Sequence, residues 1–429
     1  MAMATTQVEF NPFSAEFFAD PYPIYRELRD HAPVYYNPEY DFYALSRHAD
    51  VAAGFKDYAT FSSARGVTLE EIHSGEVAHG QSIIWMDPPE HRRMRSLVNK
   101  VFTPRAIRAL EGVVRDRIDF FLAQVDPAGF DVVADFSALF PIEVISTMLG
   151  VPEGDRQLVR ILMDKFLERK PGEIGKTPEG AEAMVQAGMF FYELLQRRRA
   201  QPGDDMISAL IAAEVERDEG GTTTLDDAEI VSFCLLLGGA GAETVTKLIG
   251  NAMVVFAEHQ DQWRQVREDR SRIPDAVEEA LRYVGPVQYD CRVTTRPVPM
   301  YDTTIPEGAA VMLLNASANR DERAFTDAEA FDINRDRTEA QNLGFGYGIH
   351  SCLGAARAHG VHHRVRPPAG PAARVRGRSR QPAPGGDDQR GRLLPRPGAR
   401  GALRLHPGRG SSRSVRHGRR VNAGCRRTR

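Results

Sequence analysis

Cys352 closes a glycine-punctuated stretch, Phe345-Gly346-Tyr347-Gly348-Ile349-His350-Ser351-Cys352-Leu353-Gly354. Glycines allow positive φ and let a backbone approach a flat ligand closely, and amides at the opening of a helix can hold a thiolate. Cys352 is therefore a candidate ligand or nucleophile, although a cysteine taken singly is more often a small buried apolar residue. Three other groupings place ionisable side chains at helical spacing. In Glu279-Ala280-Leu281-Arg282 the acid and the guanidinium are three apart, on one helix face where they pair; alone, such a motif reads as a surface ion pair. In Ala240-Gly241-Ala242-Glu243-Thr244 an acid and a hydroxyl fall inside a strongly apolar segment. There they are costly without partners and point to a proton path or water-filled groove, while Thr244 can also bond back to a helical carbonyl. In Asp87-Pro88-Pro89-Glu90-His91-Arg92-Arg93-Met94-Arg95, His91 and Arg95 share a face that can clamp an anion or simply be solvated.

The segment ending in Cys352 resembles the haem-binding signature of the cytochromes P-450, FGxGxHxCxG, and matches each fixed position. The resemblance implies haem b with Cys352 as the axial thiolate on iron, Phe345 shielding the sulfur, Gly346 in the loop, and His350 facing a propionate. Thiolate ligation pushes electron density onto iron and favours O–O cleavage. Glu279 and Arg282 then match the family's buried structural pair, with Arg335 in Phe331-Asp332-Ile333-Asn334-Arg335 as its third member. Glu243 and Thr244 match the acid–alcohol pair that delivers protons to dioxygen, with Val245 where a hydroxyl residue is common. His91, Arg95 and Arg292 become propionate ligands.

The implied enzyme is a soluble, cytoplasmic, bacterial-type monooxygenase. It inserts one oxygen atom of O2 into a small apolar substrate by hydroxylation, with electrons from NAD(P)H through a ferredoxin reductase and a ferredoxin. A peroxide-driven peroxygenase is the alternative enzyme, against which the Glu243–Thr244 pair argues. Leu236, Leu237, Val284 and Val287 suggest an apolar pocket.

These residues need a scaffold, and the pattern predicts a mostly α protein with small β-sheets, an α+β class. Apolar residues recur at three and four from about Asp87 to Ile230, broken near Pro127, Gly150-Val151-Pro152, Pro171-Gly172 and Pro202-Gly203. A long helix is expected to open after Thr224 or Asp226, run past Glu258 and be buried through the middle of the domain. Val34–Tyr36 and Phe42–Leu45 read as strands across an Asn37-Pro38 turn, and Arg292–Thr295 and Ala309–Leu314 as further short β pieces.

The 55 basic and 58 acidic side chains give a net charge of −3 over 429 residues. That balance conceals two compositions. Residues 361–429 hold 19 Arg, no Lys and two acids, Asp387 and Asp388, for +17, which leaves −20 for the rest. No apolar run approaches the ~20 residues that span a bilayer, so no membrane partner is expected, and four cysteines without an export signal argue against a disulfide framework. We expect residues 1–358 to be an incomplete haem domain, with the C-terminal helix and hairpin missing. Past Gly354 the family pattern fails: Pro367-Pro368 forbids a continuing helix, and Arg, Gly and Pro make up 38 of the last 69 residues. Residues 359–429 read as a disordered basic tail that binds nucleic acid, or as GC-rich DNA translated out of frame; the lost helix favours the second, and nucleic acid is not expected as a partner. An inactive pseudoenzyme is the matching non-catalytic reading.

Overall fold

The structure is a computed structural model and describes residues 8–75, 82–102, 104–216 and 221–355. The expectations for residues 359–429, and for a helix running on from the Cys352 loop past Ala355, lie outside the described residues.

The chain enters through two short helices, α1 (Ala15–Ala19) and α2 (Tyr22–His31), the second with proline in its first turn, where the missing amide costs nothing. Strands β1 (Val34–Asn37) and β2 (Phe42–Leu45) follow as an antiparallel pair, Val34 opposite Leu45. Helix α3 (His48–Lys56), strand β3 (Phe61–Ser62) and helix α4 (Leu69–Ser74) lead into the helical part. Helix α4 begins in a capping box between Thr68 and Glu71 and stops at Gly75, in the left-handed region at φ +69°.

The helical part comprises α5 (Glu90–Val101), α6 (Pro104–Leu122), α7 (Phe140–Leu149), α8 (Arg156–Leu167), α9 (Pro178–Ala200) and α10 (Met206–Ala212). The breaks expected at Pro127, Gly150, Pro171 and Pro202 all fall between helices. A two-residue ladder joins β4 (Val215–Glu216) to β5 (Thr222–Thr223). Next comes α11 (Asp227–Glu258), 32 residues long, opened by a capping box between Asp226 and Glu229. Among the described residues it is the one helix long and apolar enough to cross a membrane by length and composition; it runs against α7, α8 and α9. Ile230, Phe233 and Cys234 join Leu162, Met163, Phe191 and Leu194 in the largest core cluster.

Helices α12 (Gln260–Glu268) and α13 (Ile273–Val284) return the chain to β6 (Asp290–Thr294), the hairpin β7 (Val298–Met300) and β8 (Thr303–Ile305), and β9 (Ala310–Leu313), before the short α14 (Asn315–Ala318). The main sheet has the order β1-β2-β9-β6-β3. β2 and β9 are parallel while the other pairs are antiparallel. All four residues of β9 are buried, as a central strand covered on both faces requires. The architecture is α+β, as the sequence predicts.

One expectation needs correction. Helix α11 is not buried throughout: Gly238, Gly239 and Gly250 are, but Ala240 and Val245 between them are exposed and the other residues from Gly241 to Ile249 are half-buried. Its middle therefore faces an opening in the fold.

Candidate active site

The Cys352 loop is built by its own backbone. Gly346 donates to Leu343 O (2.9 Å) and Cys352 to Phe345 O (2.9 Å), with Gly346 and Gly348 at φ +65° and +69°. Gly348 lies against the carbonyl oxygen of Phe55 at the end of α3, and a Cβ on Gly344 would sit 3.0 Å from Leu281 O of α13. Side chains are excluded there because the loop is seated on both helices. The Cys352 thiol is exposed, whereas Cys234 and Cys291 are buried. The Gly354 amide donates to Cys352 Sγ at 3.3 Å, and Arg95 Nη2 donates to Ser351 O at 2.9 Å. A guanidinium and an amide thus stand beside the segment that carries the sulfur.

Basic side chains from three elements converge next to it. His91 and Arg95 lie on α5, Arg292 on β6 and His350 in the loop, with the His91 and His350 rings 4.5 Å apart. Arg292 is 4% exposed, donates to Cys291 O at 2.6 Å and stacks over Phe55. Burial first, then the charges of Arg292, His91 and Arg95, holds His350 down to about 3; burial and Arg95 hold His91 down to about 4. Asp87 acts in the opposite sense on His91, but its carboxylate is bonded to Ser62 Oγ (2.5 Å) and Ser63 N (3.2 Å). The buried Nε2 of His91 has no hydrogen-bond partner.

Two guanidiniums, Arg95 and Arg292, beside a buried imidazole nitrogen that has no partner fit a ligand that brings carboxylates. With the thiol beside it, the residues present fit haem. The cluster also predicts an acid sensitivity. A histidine whose folded value lies below its unfolded ~6.5 contributes stability above that pH, lost as pH falls toward about 4. Urea midpoints of the apoprotein should fall between those limits, and His91→Gln should flatten the slope; an unchanged slope would remove His91 as its cause.

The Glu279–Arg282 pair is buried, at 5% and 3% exposure, and so is no surface ion pair. Arg282 Nε and Nη2 reach Glu279 Oε2 and Oε1 at 2.9 and 2.7 Å. Its remaining donors hold Asn319 O, Ala328 O and Ala330 O at 2.8 to 2.9 Å. Arg335 Nε meets Glu279 Oε1 at 3.3 Å and also binds the carbonyls of Thr326, Asp327 and Ala330. The three residues are brought together where α13 meets the segment that leads to the cysteine loop.

Glu243 and Thr244 lie on the open middle of α11. Thr244 Oγ1 donates to Ala240 O at 2.7 Å, the back-bond weighed from sequence. Glu243 is not immersed in apolar surroundings: it is 28% exposed and pairs with Lys247 Nζ at 2.6 Å. The i,i+4 lysine supplies the counter-charge that makes its place affordable. Sequence reasoning missed Lys247, visible at that spacing, and Ser63, whose Oγ lies 3.2 Å from His350 Nε2 and which carries no local signal.

Buried basic side chains beside an exposed loop thiol fit a haem-thiolate protein. The cytochrome P450 family model matches residues 30–359, and the chain belongs to the cytochrome P450 family, a family of haem-thiolate monooxygenases. It is similar to cytochrome P450 130 of Mycobacterium tuberculosis, 39% identical over 362 residues, covering 82% of this chain and 87% of that protein. It is also similar to the cyclomarin C epoxidase CymV of Salinispora arenicola, 37% identical over 341 residues, covering 78% and 84%. Among solved structures, CYP109E1 of Bacillus megaterium in complex with corticosterone superimposes with a TM-score of 0.68 at 31% identity, covering 81% of this chain and 89% of that one.

Proposed function

We propose that this chain derives from a dioxygen-dependent monooxygenase that hydroxylates a small apolar substrate in the cytoplasm, with electrons from NAD(P)H through a ferredoxin reductase and a ferredoxin. The observation that carries this reading is the exposed Cys352 thiol on the segment bonded by Arg95, with the unpartnered His91 Nε2 in the same cluster. Cys352 would hold the iron, His91, Arg95, Arg292 and His350 the propionates, and Phe345 and Gly346 the edge next to the sulfur. Bound through a thiolate, haem supplies O–O cleavage.

The protein's own part is to orient and to move protons. Thr244 Oγ1 can exchange its bond to Ala240 O for one to a ligand above the open face of α11, and Glu243 beside it can hold the next proton. A peroxide-driven reaction would need neither residue. The half-buried apolar side chains of Leu236, Leu237, Val284 and Val287, and the corticosterone in complex with CYP109E1, support an apolar substrate. Thr244→Ala should lower product formed per electron consumed by roughly a hundredfold, the lower end of what a lost acid–base group costs. Equal coupling in the variant would remove Thr244 from proton delivery.

We further propose that the haem domain is residues 1–358 and that 359–429 is out of frame, because Arg, Gly, Pro and Ala predominate there just where the family needs a helix. The test is expression with haem supplied, followed by a carbon-monoxide difference spectrum. A red-shifted thiolate band at low haem content supports both readings. Full haem content would overturn the second, and a frame-restored chain without that band would overturn the first. Salt-dependent RNA binding lost on deleting 359–429 would instead favour a nucleic-acid role.

A further inference from the structure

We propose that Asp87 is a positioning residue for the haem site, a single clamp that sets the elements carrying the propionate-binding side chains against one another, with Ser63 as its arm to His350. This rests on the reading of His91, Arg95, Arg292 and His350 as the residues that hold the propionates, and adds what holds them.

Those four side chains come from α5, β6 and the Cys352 loop, which are distant in sequence. Asp87 reaches the support of each. Its backbone carbonyl accepts the His91 amide at 3.0 Å, at the opening of α5. Its carboxylate leaves that helix: Oδ2 accepts from Ser62 Oγ at 2.5 Å and Oδ1 from the Ser63 amide at 3.2 Å. Ser62 Oγ accepts the Ala64 amide at 3.1 Å, which leaves its proton for Asp87. Ser62 lies on β3 opposite Val293 of β6, the neighbour of Arg292. Ser63 carries the connection to the loop, with its Oγ 3.2 Å from His350 Nε2. The His91 and His350 rings, 4.5 Å apart, are thus tied to the two ends of one residue.

An ordinary acid ahead of a helix caps its first turn or leans on its positive end. Helix α5 has no side-chain cap, and Asp87 gives both oxygens to the end of β3 instead. A free carboxylate beside a cluster that binds carboxylates would weaken it, since like charges set together are costly. One committed through both oxygens to buried serines orders the cluster.

The test titrates haemin into the full-length apoprotein and follows the quenching of tryptophan fluorescence, Trp85 standing two residues before Asp87. Ser63→Ala and Asp87→Ala should each weaken haemin binding on the order of tenfold, the low end of what losing an outer-shell partner costs a metal site. The double variant should bind no more weakly than Asp87→Ala, because the two contacts act in series. Asp87→Asn, which keeps an oxygen for the Ser63 amide, should recover most of the loss. Resonance Raman spectra of the bound haem separate positioning from stability: the propionate bending bands should shift in Ser63→Ala and stay in place in Ile142→Val, which only thins the helical core. If Asp87→Ala does not fold, Ser63→Ala decides, since it removes a single oxygen. Parent-like affinity with unshifted bands in Ser63→Ala, or additive losses in the double variant, would overturn the clamp and leave the haem reading standing. A parent chain that binds no haemin would take down the haem reading itself, and the clamp with it.

Discussion

Replacing Arg282 by alanine should destabilise the fold by about 3–5 kcal/mol, the usual cost of leaving a buried charge without its partner, against the ~5–15 kcal/mol that holds a typical domain together. Glu279 would keep only Arg335 and the Asp332 amide, at 3.3 and 2.9 Å. The carbonyls of Asn319 and Ala328 would lose the donor they share. Arg282→Lys should rescue little, because one ammonium cannot reproduce a planar fork that serves a carboxylate and three carbonyls at once. Soluble yield and the urea midpoint measure this. A soluble variant with an unmoved midpoint would show that the network is dispensable.

The largest functional effect should come from Cys352→Ser. Its thiol is exposed and accepts one amide bond, from Gly354, so the substitution should leave the denaturation midpoint within about 0.5 kcal/mol of the parent. The red-shifted carbon-monoxide band should vanish entirely, because no other described thiol reaches solvent: Cys234 and Cys291 are both buried. A variant that kept the band would move the iron ligand elsewhere. The contrast with Arg282→Ala separates the two kinds of residue, one holding the fold and the other holding the chemistry.

The groupings that make up the candidate site were legible because they are short and local. The Cys352 loop, the Glu279–Arg282 pair and the His91–Arg95 face each lie within ten residues, and helical or loop geometry alone puts their members together. The capping residue Asp226 marked the start of α11 for the same reason. What could not be read was long-range. Strand β3 has two residues and no pattern of its own, and nothing local announces that β2 runs parallel to β9. The openness of the middle of α11 was hidden because it depends on what α7 and α8 leave uncovered. The buried Arg29, paired with Glu322 and Glu329 from far along the chain, looks in the sequence like any helical arginine.

The parallel pairing of β2 with β9 also imposes an order on synthesis. Phe42 pairs with Ala310 and Leu45 with Leu313, so the edge of β2 that faces away from β1 stays unpaired until nearly all of the described chain has left the ribosome. The cluster of α7 to α11 can collapse earlier from local contacts. During that interval Phe42 has Phe10 against it but not yet Ala310, Met312 and Leu314 of the same core cluster, and a chaperone that shields exposed strand edges should raise soluble yield.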